Sequence, residues 1–277
     1  MKTGVIGRGF VGDAVYQNMS NTISYDLVKE KSDVNSLKEL CDKCRVIYVC
    51  LPTPMNKDGS SNTNIIQKVM SELDNVATNK NIFILKSTVP PGTCDNILSN
   101  TKNINLVFSP EFLTEANYLE DFKKCNRVIF GGDKNLTSLC VKHMMLEYPN
   151  KKYIQTDHKT AETIKYFTNN FLSVKISFAN EMKQVCDAIN INYDEVKSIA
   201  LLDNRISDSH LTTPGPDGDC GFGGTCFPKD INAMINFADS VGVDCKVLKA
   251  TWEKNLEVRN KKDWLTMFGR AVSLEND

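Results

Sequence analysis

Residues Gly7-Arg8-Gly9-Phe10-Val11-Gly12 constrain this chain more than any other segment, because they follow the apolar, β-rich run Thr3–Ile6 directly and open a helical pattern. A strand that turns on glycine into a helix starts a βαβ unit, and in the G-x-G-x-x-G form each glycine has its own reason. Gly7 permits the tight turn, Gly9 lets a phosphate approach the backbone, and Gly12 lets the helix pack closely on the strand. The phosphates would rest on N–H groups at the positive end of the helix, around Phe10 and Val11. Asp26 ends the next β-rich run, 19 residues after Gly7, near the ~20 expected for a carboxylate that accepts hydrogen bonds from an adenosine ribose. Its charge would repel a 2′-phosphate, so the segment predicts NAD rather than NADP.

The first half of the chain continues the alternation. Strands are expected at Thr3–Ile6, Thr22–Tyr25, Val46–Leu51, Ile82–Lys86, Leu106–Ser109 and Val128–Gly131, with amphipathic segments between them. Beyond about residue 155 the β-branched runs give way to long helical patterns, chiefly Thr160–Ile189 and Asp244–Phe268. The fold class read from this order is α/β, with a Rossmann-type doubly wound parallel sheet over residues 1–155 and an all-helical central domain over 156–277. Leu248, Trp252 and Leu256 recur every four residues, and Leu265 and Phe268 extend the apolar surface. That stripe suits a core helix or a subunit-contact helix equally.

Charge and composition exclude several classes. Lys plus Arg total 33 against 34 for Asp plus Glu, which leaves no basic excess to hold nucleic acid. No apolar run approaches the ~20 residues that span a bilayer, and the N-terminal residues lack the pattern of a signal peptide. Action in the cytoplasm is expected. Ten cysteines in 277 residues are too sparse for a disulfide scaffold and read as thiols. Cys41-Asp42-Lys43-Cys44 has no second pair at zinc spacing, and the three histidines, 143, 158 and 210, stand apart, so no metal is expected.

Gly221-Phe222-Gly223-Gly224-Thr225-Cys226-Phe227-Pro228-Lys229-Asp230 places a thiol between glycines and a helix start marked by Pro228. At the positive end of that helix the thiolate of Cys226 is favoured. Asp230, four residues on, reaches the same side of the first turn; its charge opposes the thiolate, which suits it to moving protons or activating water. Lys165 and Asn169 lie at i and i+4 of a predicted helix, so they share one face, either to hold an oxyanion or as solvated surface. Glu111 after Ser109-Pro110, and Thr88 within Lys86-Ser87-Thr88-Val89-Pro90-Pro91, stand at strand ends, where parallel sheets place ligand-facing groups, though the spacing suits an ordinary turn equally well. The turn-rich loop Thr212–Asp219 is expected at the surface, feeding a site.

Together these segments resemble the UDP-glucose/GDP-mannose dehydrogenase family over nearly the whole chain. The residues that carry the likeness are Val5–Gly12, Pro52-Thr53-Pro54, Lys86–Pro90, Ser109-Pro110-Glu111-Phe112-Leu113-Thr114-Glu115, Lys165 with Asn169, Asp203-Asn204-Arg205-Ile206, and Gly221–Asp230. The resemblance implies NAD-dependent oxidation of a nucleotide sugar's primary alcohol to a carboxylate, with UDP-glucose to UDP-glucuronate foremost. It makes Cys226 the nucleophile and gives Lys165 and Asn169 the oxyanions. Asp230, Thr88 and Glu111 then handle water and protons. Pro52, Thr53 and Thr88 would join the glycine turn around the cofactor. Glu111, Phe112, Leu113, Lys165, Asn169, Phe222 and Gly223 would face the substrate, and Arg205 would reach a neighbouring subunit's substrate, implying a homodimer through the helical domain.

Two departures from the family pattern bear on substrate. Members usually carry a third, nucleotide-binding domain after the central helix, and Asp277 falls where the resemblance expects that domain to begin. Pro216-Asp217-Gly218-Asp219-Cys220 also lengthens the loop ahead of the thiol. Competing readings are a two-electron hydroxyacid or sugar-phosphate dehydrogenase, which needs no thiol, and a non-catalytic NAD-binding homologue.

Overall fold

A computed structural model of the chain describes residues 2–274. It contains two compact units. One joins the chain up to Thr53 with Thr63–Lys165; the other joins Pro54–Asn62 with the chain from Tyr166 onward. The division falls inside a helix, whereas the sequence places it at 155/156, just before that helix starts.

In the first unit β1 (Lys2–Ile6), α1 (Phe10–Asn18), β2 (Thr22–Tyr25), α2 (Leu37–Lys43), β3 (Cys44–Val49), α3 (Asn64–Val76), β4 (Ile82–Leu85), α4 (Thr93–Ser99), β5 (Leu106–Phe108), α5 (Tyr118–Lys124), β6 (Arg127–Gly132), α6 (Lys134–Met145) and β7 (Lys152–Thr156) follow in order. The seven strands form one sheet in the order β2-β1-β3-β4-β5-β6-β7. Every residue of β4 is buried, as expected of a central strand covered on both faces. One core packs Ile47, Val49, Phe83, Leu85 and Phe108 under α2, α3 and α4; the other packs Val5, Tyr48, Ile84 and Phe130 under α1 and α6. Because β1 pairs with β2 on one side and β3 on the other, the strand order reverses beside β1. Open α/β sheets bind ligands at that point, beyond the C-terminal strand ends. Gly7 and Cys50 begin there.

Two features correct the sequence reading. The sheet is not wholly parallel: β6 pairs antiparallel with β5, and β7, which went unread, pairs parallel with β6. The seven-residue α5 is the only helix between β5 and β6, and the chain returns along the sheet in the opposite direction.

The second unit is helical. α7 (His158–Ala188) enters it, followed by α8 (Tyr193–Ala200), α9 (Phe227–Ser240) and α10 (Lys246–Val258). The helix expected over Asp244–Phe268 therefore stops ten residues early. Arg259 takes an extended conformation as its C-cap, and Asp219 accepts the Lys261 N–H at 2.7 Å and the Asn260 side-chain amide at 3.0 Å, turning the chain away. Leu265 and Phe268 lie on the surface. Pro54–Asn62 belongs here because Met55 exchanges backbone hydrogen bonds with Ala271 and Ser273, at 2.9 Å each.

Candidate active site

The glycine turn shows why its sequence is what it is. A Cβ on Gly12 would lie 1.8 Å from the Gly7 carbonyl oxygen and 3.2 Å from Val5 Cγ1, so helix and strand pack at a distance no side chain permits. A Cβ on Gly9, by contrast, meets nothing within 4 Å. Gly9 caps α1 without a side-chain hydrogen bond, which leaves that approach to the helix N-terminus to a ligand. Asp26, at the end of β2, accepts the Arg8 N–H at 2.6 Å and the Val28 N–H at 2.8 Å. Its carboxylate is thereby fixed beside the turn. The Arg8 guanidinium, a group able to attract a 2′-phosphate, is paired with Asp13 at 2.7 Å and stacked on Tyr16, and Lys31 Nζ donates to the Arg8 carbonyl oxygen at 3.0 Å. Cradle, open approach and fixed acid fit NAD. Phe10 packs edge-on against Tyr118; Pro52 and Thr53 follow β3, Pro52 exposed and Thr53 buried.

At the ends of β4 and β5 the first unit gathers a charged cluster. Glu111 is buried; its Oε1 accepts from Lys165 Nζ at 3.0 Å and its Oε2 from the Leu113 N–H at 2.6 Å. Burial works to raise the Glu111 pKa, but the Lys165 ammonium, the Leu113 N–H and the charge of Lys86 hold it below the ordinary carboxylate range. Phe112 lies between cations, with Arg127 4.5 Å and Lys165 Nζ 5.6 Å from its ring centre. Thr88 is buried in the turn after β4. That turn is pinned at both sides: Ser87 Oγ accepts the Leu51 N–H at 2.9 Å, and Glu162 of α7 accepts the N–H groups of Gly92 and Cys94 at 2.6 and 2.8 Å.

The second unit builds the thiol. Cys226 is the N-cap of α9, with Pro228 in the first turn, as the glycines and proline predict. Asp230 is buried one turn on. Its Oδ2 accepts from Asn169 Nδ2 at 2.6 Å and its Oδ1 from Lys229 Nζ at 2.5 Å. Phe222 is buried, and Asn255 holds its peptide from both sides, accepting its N–H at 2.6 Å and donating to its carbonyl at 3.0 Å. A Cβ on Gly223 would strike Asp263 Oδ1 at 2.2 Å and the Arg259 guanidinium at 2.3 Å. Arg259 also pairs with Asp217 at 2.6 Å and Asp263 at 3.2 Å, tying the lengthened loop to the glycines before Cys226. Arg205, with its side chain 85% exposed, pairs with Asp203.

Of the residues singled out in the sequence, the structure places Cys226 and Asp230 one turn apart at the start of α9 and buries Lys165 and Asn169. Sequence reasoning does not find that Lys165 is bonded to Glu111 and Asn169 to Asp230. It also misses Lys229, Glu162, Asn255 and Arg259. Of these only Lys229 carries a local signal, its place beside Asp230. Among the described residues no group of three or more side chains is suited to a metal, and no helix is long and apolar enough to cross a membrane.

A dinucleotide cradle at the switch point of a doubly wound sheet, with a helical unit that presents a cysteine at a helix N-terminus, defines an NAD-binding dehydrogenase architecture. The chain belongs to the UDP-glucose/GDP-mannose dehydrogenase family: the family's NAD binding domain matches residues 27–147 and its central domain residues 159–257. It is 33% identical over 213 residues to a UDP-glucose 6-dehydrogenase of Rickettsia conorii, a match covering 76% of this chain and 48% of that protein. It is 30% identical to a putative UDP-glucose 6-dehydrogenase of Bacillus subtilis, covering 92% and 67%. A solved UDP-glucose dehydrogenase from Pyrobaculum islandicum superposes with a TM-score of 0.82 at 25% identity, covering 92% of this chain and 68% of that one. The chain spans about half the length of the Rickettsia relatives it matches.

Proposed function

We propose that this protein oxidises the primary alcohol of a nucleotide sugar, UDP-glucose foremost, to the carboxylate in two hydride transfers. The observation that carries the reading is Cys226 at the N-cap of α9 with Asp230 buried one turn away between Asn169 and Lys229. An enzyme that stops at the aldehyde needs no such thiol.

Gly7, Gly9, Gly12 and Asp26 would hold NAD, which when bound would supply the acceptor for each hydride. The alcohol loses one hydride and its hydroxyl proton to become an aldehyde. The Cys226 thiolate then adds to the carbonyl carbon, forming a C–S bond and a tetrahedral oxyanion that the N–H donors of Lys165 and Asn169 stabilise. Loss of the second hydride from this thiohemiacetal leaves a thioester on Cys226. A water that gives its proton to Glu111 or Asp230 attacks it, the C–S bond breaks, and acid and thiolate separate. Thr88 orients the water or the substrate hydroxyl. Phe112, Leu113, Phe222 and Gly223 contact the sugar nucleotide.

The same reading includes the division into a cofactor domain over 1–155 and a catalytic domain over 156–277, a cytoplasmic site of action, and a homodimer formed through the helical domain. Exposed Phe167, Phe171 and Phe178 along α7 support the dimer, and the exposed Arg205 suits a residue that reaches a partner's substrate. The test is stoichiometry: incubation with NAD and a panel of UDP- and GDP-sugars should yield two NADH per sugar consumed, UDP-glucose turning over fastest. One NADH per sugar would show a two-electron enzyme; none with any sugar would show a binding protein.

A further inference from the structure

Lys86 is a buried cation to which this chemistry assigns no role. It follows β4, its side chain is almost wholly enclosed at 8% exposure, and its ammonium donates to the Ser109 carbonyl oxygen at 3.1 Å and to Ser109 Oγ at 3.4 Å. Both acceptors are neutral. A buried charge with only neutral partners is costly, and burial lowers the pKa of the Lys86 ammonium, a fall that the neighbouring Glu111 carboxylate opposes. The titratable groups that face Lys86 are the thiols of Cys50 and Cys125, the ammonium of Lys165 and the carboxylate of Glu111. Burial pushes the Cys50 thiol up to about 12, so it stays neutral at physiological pH. Glu111 is the one anion in the group.

The charge balance of the proposed reaction then assigns the role. Lys165 is bonded to Glu111 at 3.0 Å, and the same ammonium is asked to stabilise the tetrahedral oxyanion. At that stage a carboxylate and an oxyanion share one ammonium unless a second stands by; Arg127 and Lys151 line the same cavity, but Arg127 is stacked on Phe112 and Lys151 donates to the Phe122 carbonyl oxygen, whereas Lys86 adds its charge to Glu111. Lys86 approaches from the Ser109 side of the loop that carries Glu111, and both line a cavity of about 40 Å³, room enough for a water. We propose that Lys86 is a positioning residue for hydrolysis: it is the reserve counter-ion that keeps Glu111 ionised, and so able to take a proton from water, while Lys165 turns its charge to the substrate oxygen. This rests on the proposed function for the reaction step, but the Lys86–Glu111 coupling itself does not.

The test compares Lys86→Met with Lys86→Arg. Carbon-13 NMR of the Glu111 carboxylate, assigned by its loss in Glu111→Gln, needs no substrate. In Lys86→Met the Glu111 midpoint should rise by at least about one pH unit, a tenfold loss of ionisation on the acid side, and Lys86→Arg should restore it. The acid limb of the kcat profile for acid formation should move by the same interval. An unmoved Glu111 titration in a folded Lys86→Met protein overturns the proposal. If that variant does not fold, Glu111→Gln tests the coupling from the other side: nitrogen-15 NMR should show the Lys86 ammonium midpoint falling by a unit or more, and no change overturns it. A chain that proves inactive on nucleotide sugars refutes the proposed function, while the Glu111 titration still decides the coupling.

Discussion

Gly9 and Gly12 sit three residues apart in one motif, and the structure gives them opposite consequences. In Gly12→Ala the new Cβ begins 1.8 Å from the Gly7 carbonyl oxygen, and α1 or the turn must move about 1.2 Å to reach the 3.0 Å floor for such contacts. The opposing atom is backbone, so no rotamer relieves it. Overpacking of this kind costs about 1–3 kcal/mol, and a clash with backbone belongs at the upper end. At ~2–4 °C per kcal/mol for a protein of this size, Tm should fall by roughly 6–12 °C. In Gly9→Ala the Cβ meets no protein atom within 4 Å, and φ of −76° suits alanine. Replacing Gly by Ala at an N-cap should cost no more than about 1 kcal/mol. The methyl does occupy the approach to the helix N-terminus, so NAD should bind at least ~10-fold more weakly, about 1.4 kcal/mol. Scanning calorimetry and NAD titration of the two variants decide the matter. A Gly12→Ala protein as stable as the parent, or a Gly9→Ala protein that binds NAD undiminished, would refute the reasoning.

Four further outcomes follow from the same geometry. Asp26→Ala should erase the preference for NAD over NADP in paired titrations. Asn255→Ala strands both polar groups of the buried Phe222 peptide and should cost about 2–4 kcal/mol in denaturant unfolding, with NAD affinity unchanged. The Asp219 carboxyl, held by the Lys261 N–H and its neighbours, is lowered to about 2 from an ordinary 3.8; its stabilisation is complete above pH 3.8 and is lost as pH falls through about 2. Asp219→Asn should therefore flatten that stretch of the acid stability curve, read by circular dichroism. Iodoacetamide should label Cys226 ahead of the buried thiols, and NAD with substrate should slow that labelling, as peptide mapping will show.

How much of this is legible in the sequence depends on whether a feature is local. β1, β2, β4 and β5 are short β-rich apolar runs bounded by turns, and they fall where expected. β7 is a half-exposed edge strand, Lys152-Tyr153-Ile154-Gln155-Thr156, with no apolar run to announce it. The reversal of β6 is invisible because an apolar run reads the same in either direction. The apolar period past Val258 suggests more helix, but the stop comes from Asp219, some 40 residues away. The site divides in the same way. Cys226 and Asp230 lie within one turn and announce themselves through glycine and proline, whereas Lys165 meets Glu111 across 54 residues and Asn169 meets Asp230 across 61. Arg259 and Asn255 grip a loop through its backbone and through distant acids, contacts that no spacing rule reveals.

The central claim is covalent catalysis by Cys226, and trapping the intermediate tests it most directly. Deacylation should be slow where both carboxylates are removed, in Glu111→Gln with Asp230→Asn, so acid-quenching that variant during turnover with NAD and UDP-glucose should leave a nucleotide-sugar acyl group on the peptide containing Cys226, visible by mass spectrometry and absent in Cys226→Ala. Acid formed at an undiminished rate by Cys226→Ala, or the adduct found on another cysteine, would contradict the account.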